Sequence, residues 1–228
     1  MKKVLLIMIL FSSVVSKAQE IKPLPQISVS GEGKIKAIPD QVFISIAVET
    51  KGTNATDVKK QNDATIEKVL QFITKFKVPK SDVQTQSISL NPQYDYEKKK
   101  RNYNATQTIE ILLKNITQYD GFMEGLVDAG INKINGIEFK TSKLIEYQSE
   151  ARKLAMKEAK SKAEDYVSVL GQKVGKAISI TDNTQNYYPQ PMYAIKTMAM
   201  DQEVTPRETL AIGEINITAT VNVSFLLE

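Results

Sequence analysis

The chain has no cysteine, no histidine and no tryptophan in its 228 residues. Each absence removes a class of chemistry. Without cysteine there are no disulfides, no thiol peroxidase cycle and no lipid anchor on a cysteine behind a leader. Without histidine, Ser-His-Asp and Cys-His catalysis and every His- or Cys-ligated metal site are excluded. Any catalysis would fall to carboxylates, lysine, tyrosine or hydroxyls. Long apolar runs are scarce as well. The only one, Val4 to Phe11, is far shorter than the roughly 20 residues of a membrane-spanning helix.

That run has a leader's layout. Met1-Lys2-Lys3 precedes it and Ser16-Lys17-Ala18 follows, with small residues at minus three and minus one of a cleavage point after residue 18. The expected organisation is a signal peptide at 1–18, a short leader at 19–26 and a domain over 27–228, undivided or built of two subdomains. Removing Lys2, Lys3 and Lys17 leaves 27 basic residues against 26 acidic ones, so the net charge falls from +4 to +1. The basic balance is therefore mostly the leader, and nothing in it calls for nucleic acid. With no second long apolar stretch, the mature chain carries no expected transmembrane segment.

The most regular stretch is Ser149 to Gly171. Ala151, Ala155, Ala159 and Ala163 recur every fourth residue, continuing into Tyr166, Val169 and Leu170, while Lys153, Lys157, Lys160 and Glu164 fall elsewhere on the wheel. This predicts a helix of about six turns whose narrow, bulkless stripe lets its axis lie close to a partner. Gly171 stands where a left-handed cap belongs.

Elsewhere the pattern alternates. Ile27 to Ala37 and Val42 to Thr50 read as two strands around Pro39-Asp40, a predicted hairpin. Asn54 with Asp57 starts a helix whose inner side is Val58, Ile66, Val69, Leu70 and Ile73. A strand from Val83 to Tyr96 carries Ile88, Leu90, Pro92, Tyr94 and Tyr96 on one side; after a charged tip at 97–102, its return strand carries Ile109, Ile111 and Leu113. A short helix over 118–129 turns Phe122, Leu126 and Val127 inward, and strands follow at 133–140 and 176–182. The last strand alternates without a break from Ile215 to Phe225. The sum is an α+β fold: antiparallel sheet with two shorter helices and one long alanine-striped helix packed on it.

These pieces, in this order, resemble the SIMPL-domain family. Ile27-Ser-Val-Ser-Gly-Glu-Gly33, Pro39-Asp40 with the strand after it, Val83 to Tyr96, Asp128 to Phe139, the Ala-Lys helix ending at Leu170-Gly171, and Gly213 to Val221 carry the likeness over nearly all the mature chain. The resemblance implies export to the periplasm, with association to the outer-membrane fraction in some members. It also implies links to oxidative or envelope stress, a ring-shaped oligomer in at least one member, and no catalytic residues to carry over.

Several features are candidate sites. Gly31-Glu32-Gly33 lacks the third glycine and the following helix of a phosphate loop, so it reads as a place where another backbone comes close. The long connection at about 183–211 holds Tyr187, Tyr188, Met192, Tyr193, Met198 and Met200. Three readings stand there: an adaptable assembly or interaction surface, a disordered loop, and a thin copper site of three thioethers. Tyr94, Tyr96 and Tyr103, beside the charged tip, would pair across strands or stack on bases. Glu32, Asp40, Glu49, Glu110, Glu138 and Glu214 lie on or beside strands, with no spacing that selects a catalytic pair. The expectation is a non-enzymatic, self-assembling scaffold or binding protein of the cell envelope, with no cofactor and no metal, a homo-oligomer with envelope protein partners. A channel or transport component and a carboxylate hydrolase are the alternatives.

Overall fold

The computed structural model describes residues 24–97, 99–184 and 212–228. They form an α+β fold of two antiparallel sheets and three helices, each sheet carrying its own helical cover. The first sheet joins β1 (Gln26–Ala37), β7 (Ile215–Leu227) and β6 (Val174–Asp182), in that order. The second runs β3 (Val83–Asp95), β4 (Lys100–Leu113), β2 (Gln41–Gly52) and β5 (Lys133–Lys140).

β1 and β2 are therefore not a hairpin. β1 pairs along its whole length with β7, Ile27 opposite Phe225 and Ala37 opposite Ile215, while β2 lies between β4 and β5. The reason lies in their inward faces. β2 presents Val42, Ile44, Ile46 and Val48, all buried, which need a bulky partner layer. β1 presents Gly31 and Gly33, which admit a backbone instead. The turn at 38–40 carries the chain from one sheet to the other. Asp40 fastens that crossing: its carboxylate accepts hydrogen bonds from the Ser142 N–H, at 2.7 Å, and from the Ser142 hydroxyl. Its backbone carbonyl accepts from Ile116 N–H and its own N–H donates to Lys140.

Helix α1 (Ala55–Lys75) and helix α2 (Tyr119–Ala129) cover the four-stranded sheet. Asn54 caps α1 by accepting from the N–H groups of Thr56 and Asp57, the role its position predicted. Phe72, Phe76 and Phe122 meet between the two helices at ring separations of 4.8 to 5.7 Å. Asn62, buried on α1, donates through its amide to the Val48 carbonyl at 2.9 Å and also reaches the Ala105 carbonyl and the Thr50 hydroxyl. One side chain thus ties the helix to β2 and β4.

Helix α3 (Leu144–Ser168) covers the three-stranded sheet. It begins five residues before Ser149, and its stripe continues from Ala163 into Val167. Tyr166, Val169 and Leu170, expected on the stripe, are exposed. A four-residue step from Ala163 lands on Val167, and the α-helix ends at Ser168, before Val169 and Leu170. Gly171 does adopt the left-handed conformation, with φ of +68°. On α2, Phe122 and Leu126 point inward as expected, but Val127 is exposed. Among the described residues no helix is long and apolar enough to cross a membrane.

Candidate interaction surfaces

Four of the six strand acids, Asp40, Glu49, Glu138 and Glu214, are each held by a different partner. Glu49 takes the Lys133 ammonium at 2.9 Å, and that hydrogen bond holds its carboxyl below the usual glutamate range. Glu214 pairs with Lys36 at 3.2 Å, Glu138 with Lys140 at 3.7 Å, and Asp40 with Ser142. Glu32 contributes its backbone N–H to the Glu158 carboxylate. Glu110 lines a cleft of about 390 Å³ with Phe43, Leu112, Asp82 and the first turn of α3, where the Lys140 ammonium sits 4.2 Å from the centre of the Phe43 ring. Asp82 in that cleft is already engaged by Lys114 at 2.7 Å. Among the described residues no group of three or more acidic side chains is gathered as a metal would need.

Gly31 and Gly33 are explained by contact. A methyl group on Gly31 would stand 2.0 Å from the Ala155 carbonyl oxygen, and one on Gly33 1.9 Å from that of Ala151. The small residues of strand and helix face each other, so α3 lies almost on the backbone of β1. The exposed rim of that contact is closed as well. Glu158 accepts from Glu32 N–H, Lys162 donates to the Ser30 carbonyl at 3.1 Å, and the two side chains pair at 3.1 Å. They occupy backbone groups of an outermost strand that would otherwise invite another chain. Lys162 thus guards a strand edge. The Glu32 N–H, then the Lys162 hydrogen bond, hold the Glu158 carboxyl below its ordinary value.

Other flanks are left open. α1 packs over β2 and β4 and not over the outermost strand β3. The inward-reading side of β3 is accordingly bare: Ile88 is 59% exposed and Leu90 39%, with Tyr94 and Tyr96 further along. Tyr94, near the end of β3, and Tyr96, in the turn after it, pack edge-on at 5.0 Å; Tyr94 faces Arg101 and Tyr103 faces Pro92, so the tyrosines are not directly opposite one another across the strands as expected. Along α1, on the side of β3, runs an open trough of two hollows that share Asp63: about 690 Å³ around Ile66, Leu70 and Gln107 of β4, and about 450 Å³ between the start of α1 and Leu90 of β3. Leu70, expected in the core, lies on this trough. In the other sheet α3 covers β1 and β7 and barely reaches β6, leaving Ile178 and Ile180 exposed. The face of that sheet away from α3 is polar, with Ser28, Ser30, Ser179, Thr181, Asn222 and Ser224 around a shallow hollow of about 390 Å³.

Tyr187, Tyr188, Met192, Tyr193, Met198 and Met200 lie outside the described residues. The trough was missed in sequence. The signal available was a polar Gln107 set between Ala105 and Ile109 on a strand that otherwise alternates toward the core.

These features define an α+β protein of two sheet-and-helix layers, with separated acids and uncovered apolar strand flanks. The chain belongs to the SIMPL family, described as "Protein of unknown function (DUF541)", whose family model matches residues 27–225. It is 28% identical over 221 residues to "Uncharacterized protein YggE" of Escherichia coli strain K12, covering 95% of this chain and 89% of that one. It is 25% identical over 213 residues to the "26 kDa periplasmic immunogenic protein" of Brucella melitensis biotype 1, covering 88% and 84%.

Proposed function

We propose that this is a non-enzymatic protein of the periplasm that acts by binding and self-association in the cell envelope, exported by a signal peptide at 1–18. The observation that carries the reading is the pair of uncovered apolar flanks, Ile88 and Leu90 on β3 and Ile178 and Ile180 on β6, each beside a helix that stops one strand short. Such flanks on an exported chain are the mark of contact surfaces. The name of the Brucella relative supports the compartment. The separate partners of Glu49, Glu138, Glu214 and Asp40 support a structural use of the strand acids over a carboxylate pair. Assembly is assigned to the tyrosine- and methionine-rich stretch at about 183–211. Light scattering on the chain from residue 19 tests it, repeated with residues 185–208 deleted. A defined oligomer that dissociates on deletion is expected; a monomer in both preparations would sink the self-association reading.

A further inference from the structure

We infer that the trough between α1 and β3 takes an extended segment of another polypeptide, with apolar side chains at alternate positions. This deepens the binding reading above and rests on it. Its first support is shape. The residues lining it follow one face of α1 from Ala55 in the first turn to Lys75 in the last, so it runs the length of a 21-residue helix. That is about 30 Å at roughly 1.5 Å per residue, room for about nine residues of extended chain. A compact metabolite would leave most of it empty.

The second support is a polar side chain in the wall of the trough. Gln107 is 7% exposed and lines the trough beneath α1, and its side chain makes no hydrogen bond to another described residue. Across the ladder from it is Ile88, and Leu90 follows on the same face of β3. An amide is both donor and acceptor, the complement of a peptide unit. An acyl chain along the same path would bury that amide without a partner, which is unfavourable. A peptide satisfies it while its alternate side chains cover Ile66, Leu70, Ile88 and Leu90.

The test uses the chain from residue 19 and a fluorescein-labelled nonapeptide that alternates leucine with serine between terminal lysines. Saturable fluorescence anisotropy is expected. Gln107→Leu, which keeps the volume and removes the amide, should weaken binding roughly tenfold. Leu90→Asp should abolish it, and Ile88→Asp, at a more exposed position, does the same where Leu90→Asp folds poorly by circular dichroism. Dansylundecanoic acid is run in parallel as the hydrocarbon probe. Absence of saturable peptide binding overturns the inference, as does an affinity unchanged by Gln107→Leu and Ile88→Asp. Tight binding of dansylundecanoic acid that displaces the peptide would make this a lipid trough. Light scattering on the same variants separates the remaining case: a wild-type oligomer that Ile88→Asp dissolves means that a second copy fills the trough. A monomeric wild type that still binds the peptide would sink self-association and leave this inference standing.

Discussion

The two sheets are covered by helices in opposite ways. Over the four-stranded sheet the contact is made of volume: Ile44, Ile46, Ile109 and Ile111 from the strands, Val69, Phe122 and Leu126 from the helices. Over the three-stranded sheet the helix contributes four alanines and Val167, and the strand beneath answers with Gly31 and Gly33. In the first layer side chains fill the space between backbones. In the second, α3 and β1 leave almost no space to fill, and bulk enters only beside them, from Val221, Val223 and Phe225 of β7. Removing atoms should hurt the first layer, and adding atoms should hurt the second.

The largest effect expected is a deletion in the thick layer. Phe122→Ala empties the aromatic contact with Phe72 and Phe76 and should cost about 4 kcal/mol in urea unfolding. Next is an addition in the thin layer. Gly33→Ala places a methyl group 1.9 Å from the Ala151 carbonyl, forcing α3 off the sheet, at about 3 kcal/mol in the same measurement. The comparison breaks if this one-carbon addition is neutral. Asn62→Leu should cost about 2 kcal/mol, because it strips the Val48 and Ala105 carbonyls of their buried donor even though volume is kept. Hydrogen exchange at β2 and β4 would place the damage. The smallest effect concerns acid. Glu158 is held below its ordinary value in the folded chain, so its contribution is present above the ordinary glutamate range and is lost as pH falls through the folded value. Glu158→Gln should flatten the fall of stability below about pH 5. An identical acid profile in the variant would show that the strand guard does not titrate with folding.

Local structure was legible where one residue type had one use. The alanine step, the Asn54 cap, the alternation of β7 and the close approach at Gly31 and Gly33 all follow from spacing and size. Strand partnership was not legible. Pro39-Asp40 looks like the turn of a hairpin, and only the buried bulk of β2 against the glycines of β1 sends the two strands to different layers. The exposure of β3 was not legible for a related reason. Its side with Ile88, Leu90 and Tyr94 alternates as a covered strand would, yet the width of a helix decides how many strands it shelters, and α1 is spent on β2 and β4. The trough follows from that shortfall, so it is a property of assembly that no local pattern announces. The partners of Asp40, Glu49 and Glu214 come from strands and turns distant in sequence, which no local pattern shows.

The pairing of β1 with β7 has a kinetic meaning. Ser28 meets Ser224 across 196 positions of chain, at 2.8 Å between hydroxyls. β7 is the middle strand of its sheet, with β1 and β6 on its two sides. The stretch from β2 to β5 holds every strand of the other sheet, so that layer can condense from neighbours alone. The thin layer has no such shortcut, because long-range closures are slow. Until β7 arrives, both β1 and β6 wait without a ladder, and the alanine face of α3 waits with them. A chain cut before Ile215 would not lose a margin strand; it would lose the seam along which the whole layer is sewn.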